Sequence, residues 1–224
     1  MSIVEEIALR QSIRLGLLVV GLLAAVIYAV AFCHRPPSVW KTVVKTIPMP
    51  AFAAAVAVSF GSGAVVVALL LSALGDLALS RDGEKAFLVG LISFAAAHVA
   101  YVAFFWDIGA GPLAMPVLLA ALVVFALSTE RWLSPFTGEL RWPVRAYVAI
   151  ICAMGATAFG VVDRPLAVAG AVAFMASDTL LAIQLFRMKS DAALQRMVSV
   201  ALWVLYAGGQ FLIVAGVGWA TPLF

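Results

Sequence analysis

The sequence predicts an all-α protein, a polytopic membrane helix bundle of eight transmembrane helices joined by short loops, with residues 1–224 forming one transmembrane domain. Three observations predict it. Hydrophobic residues fill 65% of the 224 positions, charged residues only 11%, and mean hydropathy is +1.14, against roughly 45–50% apolar and 25% charged in soluble domains. Apolar runs near the ~20 residues that a spanning helix needs recur along the chain, punctuated by Pro, Gly and charge clusters. Finally, the Lys and Arg residues alternate between heavily and lightly basic loops, as the positive-inside rule requires.

The runs place spans at 13–32, 46–60, 63–80, 85–105, 112–129, 143–162, 165–186 and 193–217. The first follows Arg10 and Arg14 as a signal peptide would, yet it exceeds the usual ~7–15 apolar residues and is expected to be a retained helix. The second is short, opens at Ile47-Pro48-Met49-Pro50 and closes at Phe60-Gly61-Ser62-Gly63. If it is re-entrant, the count becomes seven.

With eight spans, the loops after helices 1, 3, 5 and 7 hold Arg35, Lys41, Lys45, Arg81, Lys85, Arg131, Arg141, Arg145, Arg187, Lys189 and Arg196. Only Arg10, Arg14 and Arg164 fall on the other side. That 11 to 3 split predicts both termini outside, in what suits a bacterial cytoplasmic membrane. Trp40, Trp106, Trp132, Trp142 and Trp219 fall near span ends, as an aromatic belt would place them.

The excess of +3 does not point to nucleic acid, because the basic residues are scattered through the loops rather than clustered. Cys33 and Cys152 have no metal spacing and read as small core residues. No Gly-x-Ser-x-Gly, His-Glu-x-x-His, Cys-x-x-Cys or phosphate-binding glycine loop is present.

Of eleven acidic residues, only Asp76 and Asp178 lie deep inside apolar runs. Each costs roughly 2.5–3.5 kcal/mol at a helix centre on insertion scales, which makes the two the leading candidates for the working groups. Ser72 and Ser80 flank Asp76 at four-residue spacing and share its helix face. At ~1.5 Å rise per residue, Asp76 lies roughly 6 Å and Asp178 roughly 12 Å from the cytoplasmic ends of their helices, depths compatible with one cavity open to that side. His98 and Tyr101 share a face of the fourth span, and Tyr206 and Gln210 a face of the eighth. Lys45, at the mouth of the second span, suits a phosphate or the bilayer interface. A zinc site of Asp76, Asp178 and His98 is chemically conceivable; no metal is assigned.

Paired intramembrane carboxylates also serve ion pathways, so a proton- or cation-coupled transporter is the alternative reading. Leu74-Gly75-Asp76 shares part of the Gly-x-Gly-Asp motif of intramembrane aspartyl proteases, but Ala73 replaces the first glycine and no Tyr-Asp partner is present. A purely structural bridge between helices is the remaining possibility.

Six ordered motifs from Lys45 to Gly216 carry a further resemblance: Lys45-Thr46-Ile47-Pro48-Met49-Pro50; Ser72-Ala73-Leu74-Gly75-Asp76; Phe87-x-x-Gly90-Leu91-x-x-Phe94-x-x-x-His98-x-x-Tyr101; Pro143-Val144-x-x-Tyr147; Gly170-Ala171-x-x-Phe174-x-x-Ser177-Asp178; and Tyr206-x-x-x-Gln210-x-Leu212-Ile213-x-x-Gly216. In them the chain resembles the YhhN-like family of integral membrane lysoplasmalogenases, departing at Thr46, where proline often follows the lysine. The resemblance implies hydrolysis of the vinyl ether bond of a lysoplasmalogen to a fatty aldehyde and glycerophosphoethanolamine or glycerophosphocholine. It implies no cofactor, a lysophospholipid substrate drawn from the bilayer, and Asp76 and Asp178 as the catalytic pair. A vinyl ether is cleaved by protonation at carbon and capture of the oxocarbenium ion by water, which calls for an acid and a base. Lys45, Ser72, His98, Tyr101, Ser177, Tyr206 and Gln210 are then expected to bind substrate or support the pair.

Overall fold

The computed structural model describes residues 2–188 and 192–217; Lys189 and Trp219, used above for topology and the aromatic belt, lie outside them. The described residues form nine α-helices with no strand. Helix α1 (Ile3–Ile27) begins well before the expected start at 13. Ser2 and Glu5 close a capping box, and Arg10 pairs with Glu6 at 2.8 Å, so the polar leader extends the helix. A π-helical turn, Tyr28–Phe32, ends it.

Helices α2 (Val39–Thr46) and α3 (Pro48–Val58) meet at Ile47 and together make one bent 20-residue pass, Val39–Val58. Ser38 starts α2 by accepting the Lys41 amide, and Pro48 supplies no amide to the ladder, which localises the bend. The second span therefore starts at 39 rather than 46.

The remaining helices fall close to the expected runs: α4 (Gly63–Ala78), α5 (Glu84–Ile108), α6 (Pro116–Trp132), α7 (Arg141–Ala158), α8 (Pro165–Phe186) and α9 (Ala192–Val217). Proline opens α3, α6 and α8, where its missing amide does no harm.

Among the described residues six helical segments are long and apolar enough to cross a membrane: Ile3–Phe32, Val39–Val58, Glu84–Ile108, Pro116–Phe136, Pro165–Phe186 and Leu194–Gly216. The chain is an integral membrane protein. Helix α4 has only 16 residues, and α7 carries Arg141 and Arg145 at its start, so these two expected spans do not meet the same standard.

The loops sort into two ends. At one, Arg187 lies 3.6 Å over the Phe136 ring and Lys41 shares a pocket with Ser80 and Asp82. At the other, Arg10 stacks on Phe60 at 4.3 Å and the Ala110 amide donates to the Gly160 carbonyl.

Small residues set the closest helix contacts. A methyl group at Gly170 in α8 would stand 2.6 Å from the Gly209 carbonyl oxygen in α9, and one at Gly75 in α4 would stand 2.6 Å from the Phe94 ring in α5. Without lipid-excluding hydrophobic force, such close packing is what holds membrane helices together. Trp203 is 2% exposed; its indole donates to the Ala25 carbonyl at 2.9 Å and joins α9 to α1.

Candidate functional site

Asp76, near the end of α4, is 1% exposed. Its Oδ1 lies 3.3 Å from Lys45 Nζ on α2, and its Oδ2 accepts a 2.7 Å hydrogen bond from the Tyr206 hydroxyl on α9. A carboxylate this buried needs such partners. Gly75 makes room beside it for the Phe94 ring. Ser72, one turn back, accepts from Gln210 Nε2 at 2.9 Å, and Gln210 Oε1 accepts from the Tyr101 hydroxyl at 2.5 Å. The Tyr101–Gln210–Ser72 chain thus joins α5, α9 and α4 one turn before Asp76, while Tyr206 joins α9 to Asp76 itself. Ser80 shares the Asp76 face but spends its hydroxyl on the Asp76 backbone carbonyl at 2.7 Å.

Asp178 sits mid-way along α8, its side chain 8% exposed. Its Oδ2 accepts from the Tyr147 hydroxyl of α7 at 3.1 Å and lies 3.2 Å from His98 Nε2 of α5. His98 Nδ1 is 2.7 Å from the Phe94 carbonyl, and only a protonated nitrogen is attracted to a carbonyl at that distance. Nε2 therefore faces Asp178 as the second ring nitrogen; the approach is misaligned, and Nε2 has no hydrogen-bond partner among the described residues. Asp178 Oδ1 accepts no hydrogen bond among the described residues.

Each aspartate thus has one tyrosine hydroxyl and one basic side chain. No hydrogen bond joins the two carboxyls among the described residues. Two phenylalanines link their surroundings: the Phe94 ring meets Tyr206 at 5.6 Å, and the Phe174 ring meets both His98 at 4.4 Å and Tyr206 at 5.4 Å.

The two carboxyl groups differ in what surrounds them. Asp178 and Tyr147 line a narrow apolar cleft between α5, α6, α7 and α8, walled by Phe87, Phe125, Val148 and Phe186. Lys45, the partner of Asp76, lines a polar pocket with Tyr28, Lys41, Thr42, Ser80 and Asp82. Leu79 lines both. Its place is fixed by Gly90, where a methyl group would stand 2.6 Å from Leu79 Cδ2.

Among the sequence candidates, the structure sets Lys45 and Tyr206 on Asp76, links Tyr101, Gln210 and Ser72 in a second chain one turn away, and sets His98 against Asp178. Ser177 joins neither group: its hydroxyl donates to the Leu202 carbonyl at 3.0 Å and ties α8 to α9. Tyr147 and Leu79 were not among those candidates. The signal for Tyr147 was its place in the Pro143-Val144-x-x-Tyr147 motif, as the one phenol of α7; Leu79 offered none. Among the described residues no three His, Cys, Asp or Glu side chains gather as a metal site.

Residues 40–217 match the sequence model of the YhhN family. No curated protein and no solved structure matches the chain.

Proposed function

This chain belongs to the YhhN family, and from that premise we propose that it is a membrane hydrolase that cleaves the vinyl ether bond of lysoplasmalogens. The observation that carries the reading is the contrast between the two buried carboxyls: one opens on an apolar cleft beside a histidine, the other is ion-paired at a polar pocket. An amphiphile whose reactive bond joins its chain to its headgroup needs both environments within one molecule's reach.

In this account Asp178 and His98 hold the transferable proton. Nε2 and the Asp178 carboxyl stand 3.2 Å apart, close enough for a proton to pass between them once the two groups align. That proton passes to the β-carbon of the vinyl ether, leaving a cation on the α-carbon that the ether oxygen shares. The Phe94 and Phe174 faces and the negative charge of Asp76 stabilise it. Water adds to the α-carbon and gives up a proton to a carboxylate. The hemiacetal then collapses to aldehyde and glycerol hydroxyl, so one water is consumed and one carbon–oxygen bond breaks.

Lys45 connects headgroup to chemistry. A phosphate arriving at its ammonium shares it with Asp76 Oδ1 and weakens that pairing, which leaves the oxygen more open to water. Tyr206 keeps Asp76 oriented meanwhile, and the Tyr101–Gln210–Ser72 chain braces the turn of α4 before it.

The same reading has the bundle cross a bacterial cytoplasmic membrane eight times with both termini outside. Support comes from the basic loops meeting at one end, where the polar pocket also lies.

Carbon protonation is tested by running the reaction in heavy water. The account expects one solvent deuterium at C2 of freshly released aldehyde trapped as it forms. Release of unlabelled aldehyde would reject the proposed step, and no aldehyde with proton flux in liposomes would favour transport.

A further inference from the structure

The polar pocket has a charge pattern that the hydrolytic step does not use. Lys41 and Lys45 face it from α2, and Asp82 faces it from the turn after α4. The two lysines are anchored. Lys45 pairs with Asp76 at 3.3 Å, and Lys41 Nζ donates to the Cys33 carbonyl at 3.2 Å and the Arg35 carbonyl at 2.5 Å. Each ammonium has three N–H donors, so both retain at least one for a ligand. Asp82, in contrast, is exposed and takes part in no ion pair or hydrogen bond among the described residues. Thr42 and Ser80 donate their hydroxyls to the carbonyls of Ser38 and Asp76, which leaves the two lysines and Asp82 as the charged groups of the pocket.

Two ammonium groups beside an unpaired carboxylate fit a ligand with one anionic and one cationic group. Leu79 ties this pocket to the apolar cleft, because its side chain forms part of both walls. We propose that the pocket binds a zwitterionic phosphate–ammonium headgroup, with the phosphate on Lys41 and Lys45 and the ammonium on Asp82, and that Leu79 marks the point where headgroup gives way to chain. Asp82 is thereby a specificity-determining residue that touches no reacting atom. It selects against headgroups without a positive charge, and Leu79 sets which bond of the lipid lies beside the carboxyls. The assignment rests on the hydrolase reading for the kind of ligand, and its test does not require hydrolysis.

The test measures binding of two saturated alkyl ether lysolipids, one ethanolamine-headed and one glycerol-headed, to the full chain in detergent micelles. Neither carries a vinyl ether, so selectivity is read whether or not the protein cleaves one. Wild type is expected to favour the ethanolamine head by about fivefold, the scale of one solvent-accessible charge contact. Asp82→Asn should bring the two affinities together, Asp82→Glu should keep the preference, and Asp82→Lys should invert it. An Asp82→Asn protein that retains the wild-type preference, or that loses both lipids equally, overturns the assignment. So does a wild type without preference.

Discussion

His98 Nε2 stands 3.2 Å from Asp178 Oδ2 while Nδ1 of the same ring holds the Phe94 carbonyl at 2.7 Å. The carbonyl fixes the ring's orientation, so the nitrogen facing Asp178 is not free to rotate away. The ring also packs on Phe174 at 4.4 Å and edge-on to Tyr147 at 5.6 Å. His98→Phe keeps that packing and removes both nitrogens. It is expected to lower kcat by about 10²-fold, the lower range for a group engaged in proton transfer, with KM changed far less. Steady-state kinetics on vinyl ether substrate checks this, and unchanged kcat would reduce His98 to a packing residue.

The Lys45 and Asp76 pair makes a stability prediction. Asp76 is buried, and removing its ammonium partner strands a charge, at a cost of about 3–5 kcal/mol for buried pairs in general. Lys45→Met should therefore unfold well below wild type in detergent. Asp76→Asn in the same chain should restore much of the loss, because a neutral amide needs no counter-ion. Thermal unfolding of the four proteins of this cycle measures the coupling, and strict additivity would mean that the pair is not formed.

Gly208 and Gly209 are neighbours in α9 with opposite surroundings. A methyl group at Gly208 meets nothing within 4 Å, whereas one at Gly209 would lie 2.8 Å from the Gly170 carbonyl oxygen and 3.0 Å from the Phe174 amide nitrogen. Backbone atoms of α8 cannot step aside as a side-chain tip can. Gly208→Ala should be neutral or stabilise by up to about 1 kcal/mol through helix propensity. Gly209→Ala should destabilise by about 1–3 kcal/mol or more and displace Phe174 from His98 and Tyr206. Unfolding midpoints of the two variants, compared side by side, decide between these signs.

Much of this architecture was legible in the sequence, because a chain of 65% hydrophobic residues announces its helices and the breaks between them. The expected run 165–186 coincides with α8, since Pro165 opens it and Arg187 follows it. The start of α1 was not legible from hydropathy, because a capping box and an ion pair, not apolar residues, extend it to Ile3. The second pass began earlier than expected for a related reason: Lys41 and Lys45 make α2 look like a loop, although their ammonium groups find partners inside the protein.

At the site, single-helix spacing found Ser72 with Asp76 and Tyr206 with Gln210, since residues four apart share a face. Partnerships between helices were beyond it. Nothing in the spacing pairs Tyr147 with Asp178 or Lys45 with Asp76, and nothing marks Leu79 among so many leucines. Those relationships depend on how α2, α4, α7 and α8 pack, which Gly75, Gly90 and Gly170 help to set through close approach.

The most direct measurement is fatty-aldehyde release from lysoplasmenylethanolamine by the detergent-purified protein, beside the matching acyl lysophospholipid and the Asp76→Asn and Asp178→Asn variants. The account predicts aldehyde from the vinyl ether, no cleavage of the acyl lipid, and a fall of at least about 10²-fold in each folded variant. Absence of turnover by well-folded wild type, or wild-type turnover by either variant, would contradict it.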